Sequence, residues 1–229
     1  MIDRSERYQR NHSAISQAEQ EVLAGKSVII VGNGGLGGYI IELMGRLGVG
    51  RITAVDGDTF APSNLNRQLL STADSLGREK AVVARERMAA VNDNVEVVAV
   101  PELFTEENAD RLLEGQDLII DALDNAKSRL VLAEAAARHG LTIVSGSIAG
   151  WLGRIAVVGP GSALAQFLWG GTEGTNSFGN LGFTAACAAS IECAEATKVL
   201  LGRPDVLRGR LLEFDLLHGD FYEIPLDFD

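Results

Sequence analysis

Residues 27–38, SVIIVGNGGLGG, bring an apolar run to an abrupt stop in glycine. Val28, Ile29, Ile30 and Val31 form too short a run for a helix and present no polar face. Such a run, bounded by glycine, reads as a strand buried on both sides. Residues 39–47, which follow, read as a helix. Gly32, Gly34, Gly35 and Gly37 therefore occupy a strand-to-helix turn, where exposed backbone N–H groups and the helix dipole favour a phosphate. The Gly32-x-Gly34-x-x-Gly37 spacing matches the dinucleotide fingerprint. By itself it points to an anionic nucleotide and leaves the chemistry open.

The rest of the chain narrows the choice. With 229 residues, 46% of them hydrophobic, it is long enough for one α/β domain with a sizeable core. No apolar run approaches the roughly 18–20 residues of a membrane helix, and the polar start MIDRSERYQRNH lacks a signal-peptide core. The two cysteines, Cys187 and Cys193, form neither a disulfide framework nor a Cys-x-x-Cys zinc site. A net charge of -11 argues against nucleic acid as the main partner, because duplex binding needs a basic face. These features predict a cytoplasmic protein with no membrane or nucleic-acid partner.

Taken in order, residues 1–12 are a polar arm carrying Arg4, Arg7 and Arg10. Ser16 and Glu19 form a capping-box pattern, which predicts a short helix ending near Gly25. After the glycine turn and its helix, residues 51–55 form a second strand closed by Asp56-Gly57-Asp58. Asp56 stands near where a dinucleotide fold places its ribose-binding carboxylate, while Asp58 reads locally as a turn residue. Residues 59–72, TFAPSNLNRQLLST, are a polar loop in which Ser63, Asn64, Asn66 and Arg67 are concentrated. A helix over 78–91 follows, with Lys80 in its first turn, where a cation opposes the helix dipole. Residues 95–100 give a third strand, 106–113 a helix capped by Thr105, and 117–123 a fourth strand. That strand runs into Asp124-Asn125, which locally can cap a helix through His139.

Residues 141–144 give a fifth strand, followed by a small-residue segment over 145–150. The alternation of strand and helix over 27–144 predicts a doubly wound, Rossmann-like, mostly parallel sheet. The glycine turn, Asp56 and Asp124 then all fall at the carboxyl ends of strands, where such sheets bind ligands. After Trp151 the pattern changes. A strand at 154–158 lies too near the fifth for a crossover helix, 162–182 is glycine-rich and irregular, and 183–201 is a long apolar helix. Residues 210–215 and 220–226 read as a hairpin, adding antiparallel strands at the C-terminal side of the sheet. The expected organisation is one unit over 1–229: an arm and helix (1–26), a nucleotide-binding α/β part (27–150), and a closing part (151–229).

With these segments placed, the chain resembles the ThiF/MoeB/HesA family, relatives of ubiquitin-activating enzymes. The resemblance rests on Arg7-Tyr8-x-Arg10, Gly32-x-Gly34-Gly35-Leu36-Gly37, Asp56-Gly57-Asp58 with Ser63-Asn64-Leu65-Asn66-Arg67-Gln68, and Asp121-x-x-Asp124-Asn125. Lys80 fits it as well. The resemblance implies binding of ATP and magnesium, and adenylation of the C-terminal glycine of a ubiquitin-like sulfur carrier ending in Gly-Gly. It assigns nucleotide contacts to Gly35 and its neighbours and to Asp58, Ser63, Asn66 and Asn125, ribose binding to Asp56, and phosphate binding to Asn64, Arg67 and Lys80. Asp124 would coordinate the metal. Arg10 would act as an arginine finger in the partner subunit's site, which makes a homodimer necessary. The family's zinc cysteines are missing, so no structural zinc is expected. The crossover loop, 162–182, also lacks the cysteine that many members carry.

Thiamine and molybdopterin synthesis use the same chemistry, and the residues do not separate them. A nicotinamide-dependent oxidoreductase would use the glycine turn and Asp56 but leave Arg67, Lys80 and Asp124 idle. A non-catalytic module binding a ubiquitin-like partner would not need that set intact. A tRNA-modifying dehydratase branch sits poorly with the acidic charge.

Overall fold

The apolar run becomes the middle strand of the parallel part of the sheet because both of its faces find cover. In the computed structural model, which describes residues 4–171 and 178–226, Ser27–Val31 is strand β1, following helices α1 (Arg4–Arg7) and α2 (Gln17–Ala24). Ser16 caps α2 as expected, its Oγ accepting from the Glu19 N–H while Glu19 accepts from the Ser16 N–H. The chain continues through α3 (Gly37–Leu47), β2 (Arg51–Val55), α4 (Lys80–Val91), β3 (Glu96–Val100), α5 (Glu106–Leu113), β4 (Leu118–Asp121) and α6 (Ala126–His139). Then come β5 (Ile143–Ala149), β6 (Leu152–Val158), α7 (Leu164–Trp169), α8 (Gly182–Leu200), β7 (Arg210–Asp215) and β8 (Asp220–Pro225).

All the strands join one 8-stranded sheet in the order β3-β2-β1-β4-β5-β6-β7-β8. The first five are parallel, and β6, β7 and β8 are added antiparallel. β1 pairs with β2 on one side and β4 on the other, so the winding direction reverses beside it. That reversal opens a crevice outside the carboxyl ends of β1 and β4. Val28 and Ile30 pack with residues of α3, α4 and α8, including Ile40, Met44, Met88 and Ala188. Ile29 and Val31 face the other way, into a cluster with Leu113 of α5, Leu132 of α6 and Trp169 of α7. Among the described residues no helix is long and apolar enough to cross a membrane.

Two expectations need correction. The fifth strand, expected over 141–144, does not stop there: the small residues at 145–149 extend β5, paired with β6 from Ile143↔Val158 to Ala149↔Leu152. Their smallness answers to packing, since a Cβ on Gly146 would lie 2.3 Å from a carboxyl oxygen of Glu192. The 162–182 stretch is also not wholly irregular, because Leu164–Trp169 forms α7, with Leu164, Ala165 and Trp169 buried. Residues 172–177 of that stretch lie outside the described residues.

Glu192 itself is anomalous. It is completely buried on α8 and neither carboxyl oxygen has a hydrogen-bond partner among the described residues. Burial, reinforced by the neighbouring Asp121 carboxylate, pushes its pKa well above the usual carboxylate range. A carboxyl whose pKa rises on folding contributes stability below its unfolded pKa, and that stability is lost as pH rises towards the folded value. Wild type should therefore lose about 1.4 kcal/mol per pH unit across that window relative to Glu192→Gln, which has no proton to lose. Thermal unfolding of both proteins from pH 4 upward checks this. A Tm gap that does not change with pH would contradict it.

Candidate nucleotide-binding edge

The glycine turn closes because two backbone segments nearly touch. A Cβ on Gly37 would stand 1.8 Å from the Gly32 carbonyl oxygen, and Gly32 itself has φ +94. The N–H groups of Gly34, Gly35, Leu36 and Gly37 have no acceptor among the described residues, and Leu36 gives α3 no side-chain cap. Uncapped N–H groups at a helix start are a ready site for an anion. The buried Asn33 adds two side-chain atoms, Oδ1 and Nδ2, that have no partner among the described residues.

Asp56 ties this turn to the end of β2. Its Oδ2 accepts from the Asn33 N–H at 2.7 Å, and its Oδ1 from the Asp58 N–H at 2.8 Å. Burial raises its pKa despite these bonds and the nearby Lys80. Lys80 is the first residue of α4 and is buried, with its Nζ 3.1 Å from Asp58 Oδ2 and 4.0 Å from Asp56 Oδ2. The poor fit of a lysine at a helix start is thus explained: two carboxylates outweigh the dipole. Asp58, locally a turn residue, is also an ion-pair partner.

Arg67 lies over the turn, its stem 3.9 Å from where a Gly35 Cβ would be. One nitrogen, Nη1, donates to the Ser63 carbonyl at 3.0 Å and to Asn66 Oδ1 at 2.9 Å. Its other guanidinium nitrogens have no acceptor among the described residues. Asn66 Nδ2 also donates to the Asn180 carbonyl, joining this loop to the segment before α8. Asn64 is committed to the loop, its Oδ1 accepting from the Ala61 N–H. Gln68, absent from the expected site, packs its amide against Gly34, and its buried Oε1 has no partner among the described residues.

Asp124 is exposed and meets no cation among the described residues. The cap of α6 is Asn125, whose Oδ1 accepts from the Ser128 N–H at 2.9 Å, so the helix does not consume Asp124. The loop carrying Asp124 is held from beneath. Buried Asp121 accepts from Ser145 Oγ at 2.6 Å and from the Leu123 N–H at 2.9 Å, with Arg129 Nε at 3.2 Å. Arg129 also donates to the Leu123 and Gly146 carbonyls. Sequence reading missed Arg129 and Ser145 as supports. The available signal was an aspartate ending an otherwise apolar strand.

Arg10 is not brought to this edge. Tyr8, two residues earlier, packs against Gly48 and accepts from Asn92 Nδ2 at 2.8 Å, at the ends of α3 and α4. Those ends lie beside the amino-terminal edge of β2 and β3, a strand length of about 16 Å from the turn. Arg10 sits there on the exposed Gln9–Asn11 turn, without a partner among the described residues.

The donors and carboxylates at the glycine edge suit a nucleoside triphosphate. Magnesium usually takes one or two carboxylates and completes its shell with phosphates and water, so a single free Asp124 fits that ion.

Comparison with known proteins places the whole chain in a family. The ThiF family model matches residues 8–228. A sulfur carrier protein adenylyltransferase of Thermus thermophilus is 36% identical over 219 residues, covering 90% of this chain and 81% of the relative. A SAMP-activating enzyme E1 of Haloferax volcanii is 30% identical, covering 89% of this chain and 77% of that protein. An adenylyltransferase and sulfurtransferase MOCS3 of Drosophila yakuba is 32% identical, and the match covers only 47% of its length. Among solved structures, PaaA superposes with TM-score 0.83 at 20% identity over 100% of this chain and 77% of its own. Escherichia coli MccB with ATP gives 0.82 at 16% over 97% and 71%, a likeness of fold.

Gly37→Ala forces a side chain into the Gly32 carbonyl and should cost about 1–3 kcal/mol or more, with loss of ATP binding. Gly35→Ala meets only the Arg67 stem at ordinary contact distance and should fold with nearly wild-type Tm. Thermal unfolding and ATP titration of both variants check the pair; equal behaviour would contradict the geometry.

Proposed function

Because this chain belongs to the ThiF family, we propose that it adenylates the C-terminal glycine of a ubiquitin-like sulfur carrier at the expense of ATP. The observation that carries this reading is the unequal commitment of charge along one sheet edge. Lys80 is buried against two carboxylates beside the turn, while among the described residues Arg67 keeps donors unused above it and Asp124 meets no cation. A hydride-transfer site has no need of that set. A reaction in which one anion attacks another does.

In this reading the phosphates lie on the N–H groups of Gly34 to Gly37, and Asp56 receives the ribose hydroxyls. Asn64, Arg67 and Lys80 face the phosphate chain, with Asp58 holding the Lys80 ammonium. Ser63, Asn66 and Asn125 shape the loops on either side. The carrier's carboxylate oxygen attacks the α-phosphorus, the bond from that phosphorus to the bridging oxygen breaks, and pyrophosphate leaves with the electron pair. Asp124 would hold magnesium, which when bound neutralises charge on the phosphates. Arg67 and Lys80 stabilise the negative charge that concentrates as the two anions meet.

Arg10 completes the site from a second subunit. Its position at the far edge of its own sheet keeps it from its own site, and this supports the reading of a homodimer with two sites. The product is expected to serve sulfur incorporation in thiamine or molybdopterin synthesis, in the cytoplasm. With no cysteine in 162–182 and Cys193 buried, its thiol pushed well up by burial, a thioester step within the chain is not part of the proposal.

Pyrophosphate exchange into ATP with carrier proteins ending in Gly-Gly tests the reading. Exchange should require a carrier, and Asp124→Ala should lower it by about 100-fold or more. Arg10→Ala should be inactive alone, and mixing it with Asp124→Ala should restore exchange that neither shows separately. Normal exchange by Arg10→Ala would remove the finger from the account, and no exchange with any carrier would favour a binding module.

A further inference from the structure

On the sheet face covered by α5, α6 and α7, the apolar core holds a cavity of about 80 Å³ with polar groups in its wall. Strand register builds it. Ile143, Ser145 and Ser147 alternate onto one face of β5, and Ser147 stands opposite Arg154 across the β5–β6 pairing. Ile143 belongs to the apolar cluster; the two residues after it on that face are hydroxyls. The lining includes Arg129, Ser145, Ser147, Arg154, Trp169 and Leu211. The volume is about that of two to three waters in the liquid. It suits one carboxylate or phosphoryl group and excludes a base or a sugar.

The donors in this cavity exceed its acceptors. Arg129, only 8% exposed, spends Nε and Nη2 on Asp121, Leu123 and Gly146, and its Nη1 has no acceptor among the described residues. Arg154 stands at the solvent-facing mouth, its side chain 61% exposed; it meets Glu213 through Nε at 2.6 Å, and neither of its Nη groups has a protein acceptor among the described residues. The Ser147 hydroxyl is likewise without a partner among them. The carboxylates nearby are thus engaged at the Nε positions, while the apolar walls of Trp169 and Leu211 strengthen any charge-assisted bond formed inside. We infer that this cavity binds one small oxyanion group, a carboxylate or a phosphoryl group.

Its place in the fold connects it with the nucleotide edge. Ser147 lies two residues beyond Ser145, which pairs with Asp121, and Arg129 holds the carbonyl of Leu123 next to Asp124. If the proposed adenylation holds, on which only this naming of sources rests, the oxyanion comes from the substrate carboxylate or the released pyrophosphate. The binding itself does not depend on turnover.

The chain has two tryptophans, so Trp151→Phe leaves Trp169, in the cavity wall, as the sole indole. The full-length protein in that background, free of nucleotide, is titrated with pyrophosphate and with glycylglycine while the indole N–H resonance is followed. A saturable shift with at least one probe is expected. Ser147→Leu, which fills the cavity, should abolish it. Arg154→Gln, at an exposed position, should weaken it at least tenfold. Arg67→Ala, in the loop that lies over the glycine turn, should leave it unchanged. A response to pyrophosphate alone assigns the site to the leaving group, to the dipeptide alone to the substrate carboxylate, and to both to a shared oxyanion site. No saturation with either probe, an unaltered Arg154→Gln titration, or loss in Arg67→Ala would overturn the inference. Failure of the adenylation reading would look different: no pyrophosphate exchange, with these titrations intact.

Discussion

The carboxylate of Asp56 is the joint on which the nucleotide edge depends. One oxygen fixes the glycine turn through the Asn33 N–H, and the other fixes the segment after β2 through the Asp58 N–H. Lys80 balances the buried charge and couples it to the first residue of α4. Three segments far apart in sequence are thereby locked around one buried group. Removing Lys80 would leave that charge uncompensated, a loss of about 3–5 kcal/mol. Stability and site geometry therefore cannot be separated at this residue, whereas the exposed Asp124 offers a cleaner handle on chemistry.

A second buried carboxylate organises the opposite side of the crevice. Asp121 draws Arg129, Ser145 and the Leu123 N–H together, and Arg129 in turn braces the Leu123 and Gly146 carbonyls. The loop bearing Asp124 is rigid from below and free above, which is what a ligand-facing carboxylate needs. Both aspartates have pKa values raised by burial, and each is held by directed bonds rather than by solvent. Glu192 lies over Gly146 on the other sheet face, where its charge would compete with Asp121.

Much of this was legible in the residues. The strands at 27–31 and 51–55, the Ser16 cap and the parallel-then-antiparallel sheet follow from short-range pattern, because apolar runs bounded by glycine can be satisfied in few ways. The grouping of the glycine turn, Asp56 and Asp124 followed from topology alone. What escaped was long-range. α7 was hidden because the burial of Trp169 and Leu164, rather than local spacing, stabilises it. The extension of β5 was hidden because Gly146 is small for the sake of Glu192, some 46 positions away. Local reading offered Asp124 as a helix cap, yet its neighbour Asn125 takes that duty and leaves the aspartate to solvent.

The central claim is that the glycine edge holds a nucleoside triphosphate with its phosphates on Gly34 to Gly37, rather than a dinucleotide. The most direct measurement is calorimetric titration of the full chain with ATP and magnesium, beside a parallel titration with NAD. The account predicts saturable binding of ATP–magnesium that Asp124→Ala weakens, with no comparable binding of NAD. Tight NAD binding with no response to ATP would contradict it.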